Sequence, residues 1–382
     1  MRAAAEPWAK SKHERGPKME IERRNLLKGT AAAGVVAAMC GSVATAARAD
    51  EAQADIECDL LIVGGGLAGM CAGLQALEEG VSPLIIDKTD DIALYGNSSI
   101  SGGSFATPQD SSAEAVESYI ADFNKKSKGK GDQDITRVIA ENVQDTVDWL
   151  AGKGCTFNDP VTNPPYTCLK VYASPAIFQG MNALMTTLAE NYEANGGQKM
   201  VETKLLDFVV DDMGAVAGAK VRTPEGIKTI AAKCTIIASG GYAGNKQLLE
   251  EFVGYDADEI LLRGRSYMTG DGLLAATRIG GMLRQMGGDQ SLHIAAVSPQ
   301  NVASGNPSNA IGYCISINAN GERYTDESLG YVSHGKALMN QPGQTCALVF
   351  DSTTKESVSN VQIVTDQFAK LEIPIIEAIT IE

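Results

Sequence analysis

The chain has 382 residues, 44% of them apolar, enough for a substantial core and for two or three domains rather than one. Its net charge is −15, yet residues 1–49 carry nine Lys or Arg against four Asp or Glu, so the body beyond them stands near −20. A body of that sign repels phosphate backbones, which argues against nucleic acid as a partner. The eight cysteines, at 40, 58, 71, 155, 168, 234, 314 and 346, form no CxxC, so zinc ribbons, c-type haem and iron–sulfur clusters are disfavoured and no metal site is expected. Cys58 and Cys234 sit in apolar runs and read as small buried hydrophobes.

The first fifty residues read as an address. In "IERRNLLKGTAAAGVVAAMCGSVATAARAD", Arg23–Arg24 precede Leu26, Leu27 and Lys28, a weakly apolar Ala/Gly-rich run extends to about Ala47, and "ARA" ends at Ala49 as a small-x-small cleavage pattern. The run is short and weakly apolar for a membrane span. Residues 1–49 resemble a removable twin-arginine export signal, with Met19 as an internal start. That resemblance implies folding in the cytosol, with cofactor bound, before delivery to the periplasm or outside the cytoplasmic membrane, which the protein meets only during export. Cysteines without a disulfide pattern fit such a route. Met39 before Cys40 argues against lipidation.

"DLLIVGGGLAGM" follows: a buried strand over 58–64, then a helical pattern from Leu67 to about Glu79, then a second strand in "SPLIIDK", 82–88. This is a βαβ unit with Gly64, Gly66 and Gly69 in GxGxxG register, Leu67 and Ala68 between them. The first glycine permits a sharp turn, the second a close approach of a pyrophosphate, and the third helix-on-strand packing at a helix N-terminus that favours anions. Asp87 ends the second strand eighteen residues after Gly69, with Lys88 beside it. An acid there can hold ribose hydroxyls. The pattern predicts dinucleotide binding.

Helical periodicity spans about Ser112 to Gly152, with Val138, Ile139, Val143, Val147 and Leu150 expected near one buried face. A second amphipathic helix lies in "GMNALMTTLAENYEANGG". Alternating segments at about 201–210, 214–222 and 227–231, parted by "DDMG" and "TPEG", predict a three-stranded meander. "KCTIIASGGYAGN" then reads as a separate buried strand ending in Gly240–Gly241, and the pattern becomes mixed from about residue 290.

Five motifs now stand in order: "VGGGLAG", "GNSSISGGSF", "IIASGGYAGN", "TGDGLLAA" and "NANGERYTDE". Together, over about residues 56–370, they resemble the flavoprotein family of fumarate reductase and succinate dehydrogenase, in particular its soluble exported members and the ketosteroid dehydrogenases. The resemblance implies FAD. Gly64, Gly66 and Gly69 would hold its pyrophosphate and Asp87 its ribose, while Asn97, Ser98, Ser101, Gly102 and Gly103 would line the ribityl chain and flavin. Ser239, Gly240 and Gly241 match the family's "ATGG" turn, and Thr269, Gly270, Asp271 and Gly272 its "TGDG" turn. Members with covalent FAD carry a histidine just before the Ser/Gly stretch; "LYGNSSISGG" has none, so non-covalent FAD is expected. With no haem motif, electrons would come from a separate donor protein or carrier.

The implied reaction is hydride transfer from flavin N5 to an activated C=C bond of a small unsaturated acid or enone, with protonation of the neighbouring carbon by a positioned acid. His293, in "GGDQSLHI", stands near the family's substrate-binding histidine, and Glu327, in "GERYTDE", matches an acid that takes part in proton delivery. Fumarate reductases carry an arginine shortly after that acid, where "ESLGYVSHGK" offers Tyr331 and His334, and another after the "VFD" strand, where Lys355 stands. Lysine does not reproduce arginine's fork geometry, so fumarate itself is weakened as substrate, and Tyr331 suits a ketosteroid-type flavin dehydrogenase. The family closes its FAD site with a "GE…GGvHGanRlGGN" segment, whereas this chain ends in "FAKLEIPIIEAITIE". The expectation is therefore α/β: a Rossmann-type FAD-binding domain, 50–285, with helical and meander insertions, and a capping α+β domain, 286–382, incomplete at the C-terminus. A non-catalytic truncated fragment is the remaining alternative.

Overall fold

The computed structural model describes residues 54–157, 161–162, 169–172, 179–254, 257–284, 286, 294–297 and 304–379. It divides into two compact units, one of residues to Asn245 with Leu261–Gln285, the other of Lys246–Ile260 with Met286–Glu382.

In the first unit β1 (Ile56–Val63), helix α1 (Leu67–Glu78) and β2 (Pro83–Ile86) form the predicted βαβ unit. β3 (Ser104–Thr107), α2 (Ala113–Ser127), α3 (Gln133–Gly152), β4 (Val161–Thr162), β5 (Leu169–Tyr172) and α4 (Gln179–Ala194) follow, then β6 (Gln198–Met200), β7 (Lys204–Val210), β8 (Val216–Thr223) and β9 (Gly226–Ile237). One six-stranded sheet has the order β6-β2-β1-β9-β8-β7, and a smaller sheet is β3-β5-β4. β1 runs parallel to β2 and β9, while β7, β8 and β9 are antiparallel neighbours.

The core follows from strand alternation. Leu60 and Ile62 of β1, with Ile85 of β2, face a cluster completed by Met70 and Leu74 of α1 and Met185, Leu188 and Tyr192 of α4. Leu61 and Val63, with Leu84 and Ile86, face the opposite cluster with Leu205, Phe208, Val221 and Ile230 of the meander. Both faces of β1 and β2 are covered, which explains their unbroken apolar runs. Each such side chain contributes roughly 1.5–3 kcal/mol by leaving water.

Two expectations are corrected. The third meander strand and the "KCTII" strand are one: β9 runs twelve residues from Gly226 to Ile237, pairing with β8 through its first half and with β1 through its second. The helical stretch 112–152 is broken by Lys128 and Gly129, both in left-handed backbone. Its second helix buries Thr136, Ala140, Val147 and Leu150, whereas Val138 and Ile139 are exposed at 38% and 46%. The buried stripe therefore follows 136-140-147-150, and the apolar residues beside it lie outside it.

α5 (Lys246–Phe252) belongs to the second unit and α6 (Asp271–Arg278) to the first. The second unit continues with β10 (Ala296–Val297) paired to β11 (Ser304–Gly305), β12 (Ile315–Asn318), α7 (Tyr331–Leu338), β13 (Cys346–Val349), α8 (Ser352–Ser357) and α9 (Ser359–Lys370). β12 and β13 are antiparallel, with Ser316 opposite Leu348. Ala310, Cys314, Val361 and Val364 form this unit's own core. Cys155 and Cys314 are buried, Cys58 and Cys234 only half-buried, and all four are free thiols. Cys40 and Cys168, the leader and His293 lie outside the described residues. Among the described residues no helix is long and apolar enough to cross a membrane.

Candidate functional site

The glycine turn sits at the carboxyl end of β1. Gly64 adopts φ +105, a backbone that other L-residues rarely take, and a Cβ there would lie 2.6 Å from the Ala238 carbonyl oxygen. A Cβ on Gly69 would lie 1.9 Å from the Gly64 carbonyl oxygen. The turn after β1, the first turn of α1 and the turn after β9 are thus packed backbone to backbone.

Gly66 is the N-cap of α1 and gives no side-chain cap. The first-turn amides of any helix lack internal acceptors. Here Ser98 supplies one, its Oγ accepting from the Leu67 amide at 3.0 Å. The amides of Gly66, Ala68 and Gly69 belong to the same turn and carry the positive end of the helix dipole. Asp87 closes the turn from the β2 side: its Oδ2 accepts from the Gly65 amide at 2.8 Å, and its Oδ1 from the Thr89 amide and hydroxyl at 3.0 and 2.8 Å. Both carboxylate oxygens are thereby fixed at the end of β2, and Oδ2, which accepts once, keeps a further lone pair for a ribose hydroxyl.

The remaining motifs converge from later in the chain. A Cβ on Gly272 would meet Ser239 Oγ at 2.3 Å, so the helix α6 start packs on the turn after β9. The Gly270 amide donates to the Gly241 carbonyl at 3.2 Å. Lys88 Nζ donates to Thr269 Oγ1 and to Asp271 Oδ2, both at 2.7 Å, and Lys204 approaches Asp271 Oδ1 at 3.4 Å. Burial alone would raise the Asp271 carboxyl, but Lys88, with Lys204 and Thr269, outweighs it and holds the carboxyl below its usual range. Asn97 is joined to the segment before "TGDG" by its Oδ1, which accepts from the Arg265 amide at 2.7 Å. Ser101 and Gly102 are exposed and Gly103 is buried, with its amide donating to Ser101 Oγ at 3.3 Å as the chain enters β3.

A dinucleotide fits this cradle on two grounds. Gly64 and Gly69 let the turn, the helix start and the turn after β9 close together backbone to backbone, and Gly66 leaves the helix start bare, an added Cβ there meeting only Ser98 Oγ at 3.4 Å. Among the described residues two buried polar atoms beside it, Ser239 Oγ and Arg265 Nε, have no hydrogen-bond partner, and such groups call for an acceptor or donor from a ligand. Arg265 was not expected from the motifs; its guanidinium also donates to the Leu94 carbonyl at 3.0 Å and lies 6.0 Å from the Tyr95 ring.

In the second unit Glu327 is 5% exposed and lies in a turn capped by Asp326. Its Oε1 accepts from the Ser316 amide at 2.7 Å and its Oε2 from Arg323 Nη2 at 2.6 Å. The Arg323 hydrogen bond chiefly, opposed by burial and helped by the Ser316 amide, pulls the Glu327 carboxyl down to about 2. At neutral pH it is an anion that accepts hydrogen bonds rather than a stored acid. Arg323 stands four residues before it, within "GERYTDE", a position that the motif assigns no role. Tyr331 is the first residue of α7 and is 40% exposed. Lys355, on α8, is ion-paired with Glu377, so the described contacts join it to neither Glu327 nor Tyr331.

Comparison with known proteins indicates the family and the cofactor. The family model described as "FAD binding domain" matches residues 59–358. The curated "Probable fumarate reductase Ifc3" of Shewanella frigidimarina is 26% identical over 300 residues, covering 77% of this chain and 50% of that protein. The "Acrylate reductase flavoprotein subunit" of Shewanella woodyi is 26% identical over 277 residues, 68% of this chain and 54% of the relative. The solved structure of the open conformation of a flavocytochrome c3 fumarate reductase superposes with a TM-score of 0.69 at 24% identity, covering 84% of this chain and 57% of that one. The chain therefore spans about half the length of the curated relatives it matches. The fold is that of the fumarate reductase flavoproteins and the cofactor indicated is FAD. With its model matched across the βαβ unit, the meander and the Glu327 turn, the chain belongs to the FAD binding domain family.

Proposed function

We propose that the protein is an FAD-dependent reductase of activated C=C bonds, with small unsaturated carboxylic acids as the substrate class. The observation that carries this reading is the convergence of Gly64–Gly69, Asp87, Asn97–Ser98 and Thr269–Gly272 on one cradle, in a chain whose relatives are named as fumarate and acrylate reductases. When bound, reduced FAD would supply the hydride for the carbon β to the activating group. The first-turn amides of α1 hold the diphosphate, and Asp87 accepts from the ribose. Binding is non-covalent, because no histidine stands in residues 94–103.

Residues of the second unit handle the proton in this reading. Glu327, kept ionised by Arg323, orients and relays, and Tyr331 is the donor to the carbon α to the activating group. His293 and Lys355 remain candidates for holding the substrate's carboxylate. Tyr331 in place of an arginine also supports a second reading, in which an enone replaces the acid. Electrons arrive from a separate donor protein or carrier, and the Arg23–Arg24 leader directs export by the twin-arginine route.

The test is oxidation of reduced methyl viologen by the FAD-loaded full chain, with fumarate, acrylate, urocanate and a cyclic enone as acceptors. Turnover of an acid supports the first reading and turnover of the enone alone the second. Retention of flavin absorbance near 450 nm with no acceptor reduced would leave a flavin-binding protein and sink both.

A further inference from the structure

His334, one of the two residues that stand where fumarate reductases carry an arginine, is fully buried on α7. Its Nε2 lies 2.6 Å from Ser316 Oγ on β12 and 3.1 Å from Tyr324 Oη. The Tyr324 and His334 rings meet edge to face at 5.3 Å. Ser316 is equally buried and is used at both ends: its amide donates to Glu327 Oε1 at 2.7 Å while its hydroxyl holds His334. One residue of β12 therefore ties down two elements. Through Glu327 it fixes the turn 327–329, and through His334 it fixes α7, whose first residue is Tyr331. Tyr331 and His334 are three apart on that helix and so share a side of it.

We propose that His334 is a positioning residue for proton delivery: by holding Ser316 it sets the separation between the Glu327 carboxylate and Tyr331. This rests on the functional reading above. The groups facing the imidazole are Ser316, Tyr324 with the Cys346 thiol beyond it, and, across Ser316, Glu327 with Arg323. A neutral ring can accept from the Ser316 hydroxyl through one nitrogen. An imidazolium donates from both nitrogens, so Ser316, beside Nε2, and Tyr324, whose Oη also lies 3.4 Å from Nδ1, must both turn to acceptors. Among the described residues no carboxylate bonds the ring directly, and burial lowers its affinity for a proton, with Glu327 opposing from beyond Ser316. The array is intact at neutral pH and is rearranged as the ring is charged below its ordinary 6.5.

The experiment uses the FAD-loaded full chain. H334A, H334Q and the unsubstituted protein are compared by reduced-viologen turnover of fumarate, acrylate and urocanate between pH 5 and 8. H334A is expected to lower kcat about tenfold with KM nearly unchanged, the size of effect a misplaced catalytic group produces. H334Q, whose amide can still meet Ser316, is expected to recover most of that loss and to lack the acid-side fall. Equal losses in both variants with an unaltered pH profile would mean packing alone and overturn the proposal. The imidazole proton resonances decide the linkage independently of turnover. Only three histidines are present, and H334Q identifies the signal. E327Q, by removing the nearby anion, should lower the His334 midpoint, and S316A should move it as well. A midpoint unmoved by either substitution overturns the coupling even if the protein turns over substrate. Failure of all acceptors with the midpoint shifts present would overturn the functional reading and the catalytic role of His334 with it, leaving the Ser316 linkage standing.

Discussion

Lys88 and Asp271, 183 residues apart in the chain, are joined by a 2.7 Å ion pair whose side chains are 21% and 14% exposed. The pair ties the end of β2 to the first residue of α6, where a negative charge also suits the helix dipole. Removing Lys88 leaves a mostly buried carboxylate with Lys204 at 3.4 Å and the Thr269 hydroxyl donating to Oδ1 at 3.0 Å. Lys88→Met is therefore expected to cost about 2 kcal/mol in urea unfolding, within the range for hydrogen bonds to charged groups. The Asp271 carboxyl is held low, so its contribution is present above the ordinary 3.8 and fades as pH falls below it. The difference between wild type and Lys88→Met should shrink below pH 4; a difference constant down to pH 3 would refute the assignment.

Gly69 has no room for a methyl group, because a Cβ would sit 1.9 Å from the Gly64 carbonyl. The contact is backbone to backbone, so relief requires α1 to lift from the turn. Gly69→Ala should cost about 3 kcal/mol, at the upper end for an overpacked site, and should purify without absorbance at 450 nm. Gly152, on α3 and outside the cradle, meets nothing within 4 Å of an added Cβ, so Gly152→Ala serves as the comparison and should keep its flavin. Equal flavin content in the two proteins would contradict the cradle.

Local pattern carried much of this architecture and little of its cross-links. The run Leu60–Val63 is apolar on both faces and is followed by glycines that only a tight turn explains, so the βαβ unit was readable. β9 was not readable as one strand, because its halves have different neighbours: Thr229 and Ala231 pair in the meander, while Cys234–Ile237 pair with β1. Composition shifts between those halves, and the shift mimics a boundary. At the site, the glycine and acid motifs announce themselves by spacing. Arg323 gave a weak signal, four residues before Glu327. Ser316, eleven residues from Glu327 on a different element, gave none. A hydrogen bond between a strand amide and a turn carboxylate has no sequence signature, since any residue can donate it.

The corrected face of α3 makes a second kind of prediction. Leu150 is 1% exposed and packs in the cluster under β1, whereas Ile139 is 46% exposed on the same helix. Leu150→Ala should destabilise by about 3 kcal/mol through lost contact and a residual cavity. Ile139→Ser should stay within about 0.5 kcal/mol, as surface changes do. Urea midpoints of the two variants check this directly, and comparable losses would restore the stripe through Val138 and Ile139 that periodicity alone suggested.

Glu327 makes the clearest pH prediction. Arg323, donating through Nη2 at 2.6 Å, together with the Ser316 amide, holds the buried carboxyl near 2 against an ordinary 4.5. A carboxyl lowered on folding stabilises above its unfolded value and ceases to do so as pH falls toward the folded one. The relevant window is therefore pH 4.5 down to 2. Glu327→Gln keeps the shape but removes the charge that answers Arg323 and Ser316, and should cost about 2 kcal/mol at pH 7, in the range for charged hydrogen bonds. Because Arg323 is 59% exposed, water takes over the guanidinium and the loss stays well below that of a fully buried broken pair. The gap between wild type and Glu327→Gln should close steadily as urea melts are repeated at pH 5, 4 and 3. Arg323→Met removes the stronger anchor and should bring the carboxyl back toward its ordinary range, shifting the closing of that gap to higher pH. A gap independent of pH in both backgrounds would mean that Glu327 is held by packing rather than by charge, and would remove the basis for treating it as an ionised relay.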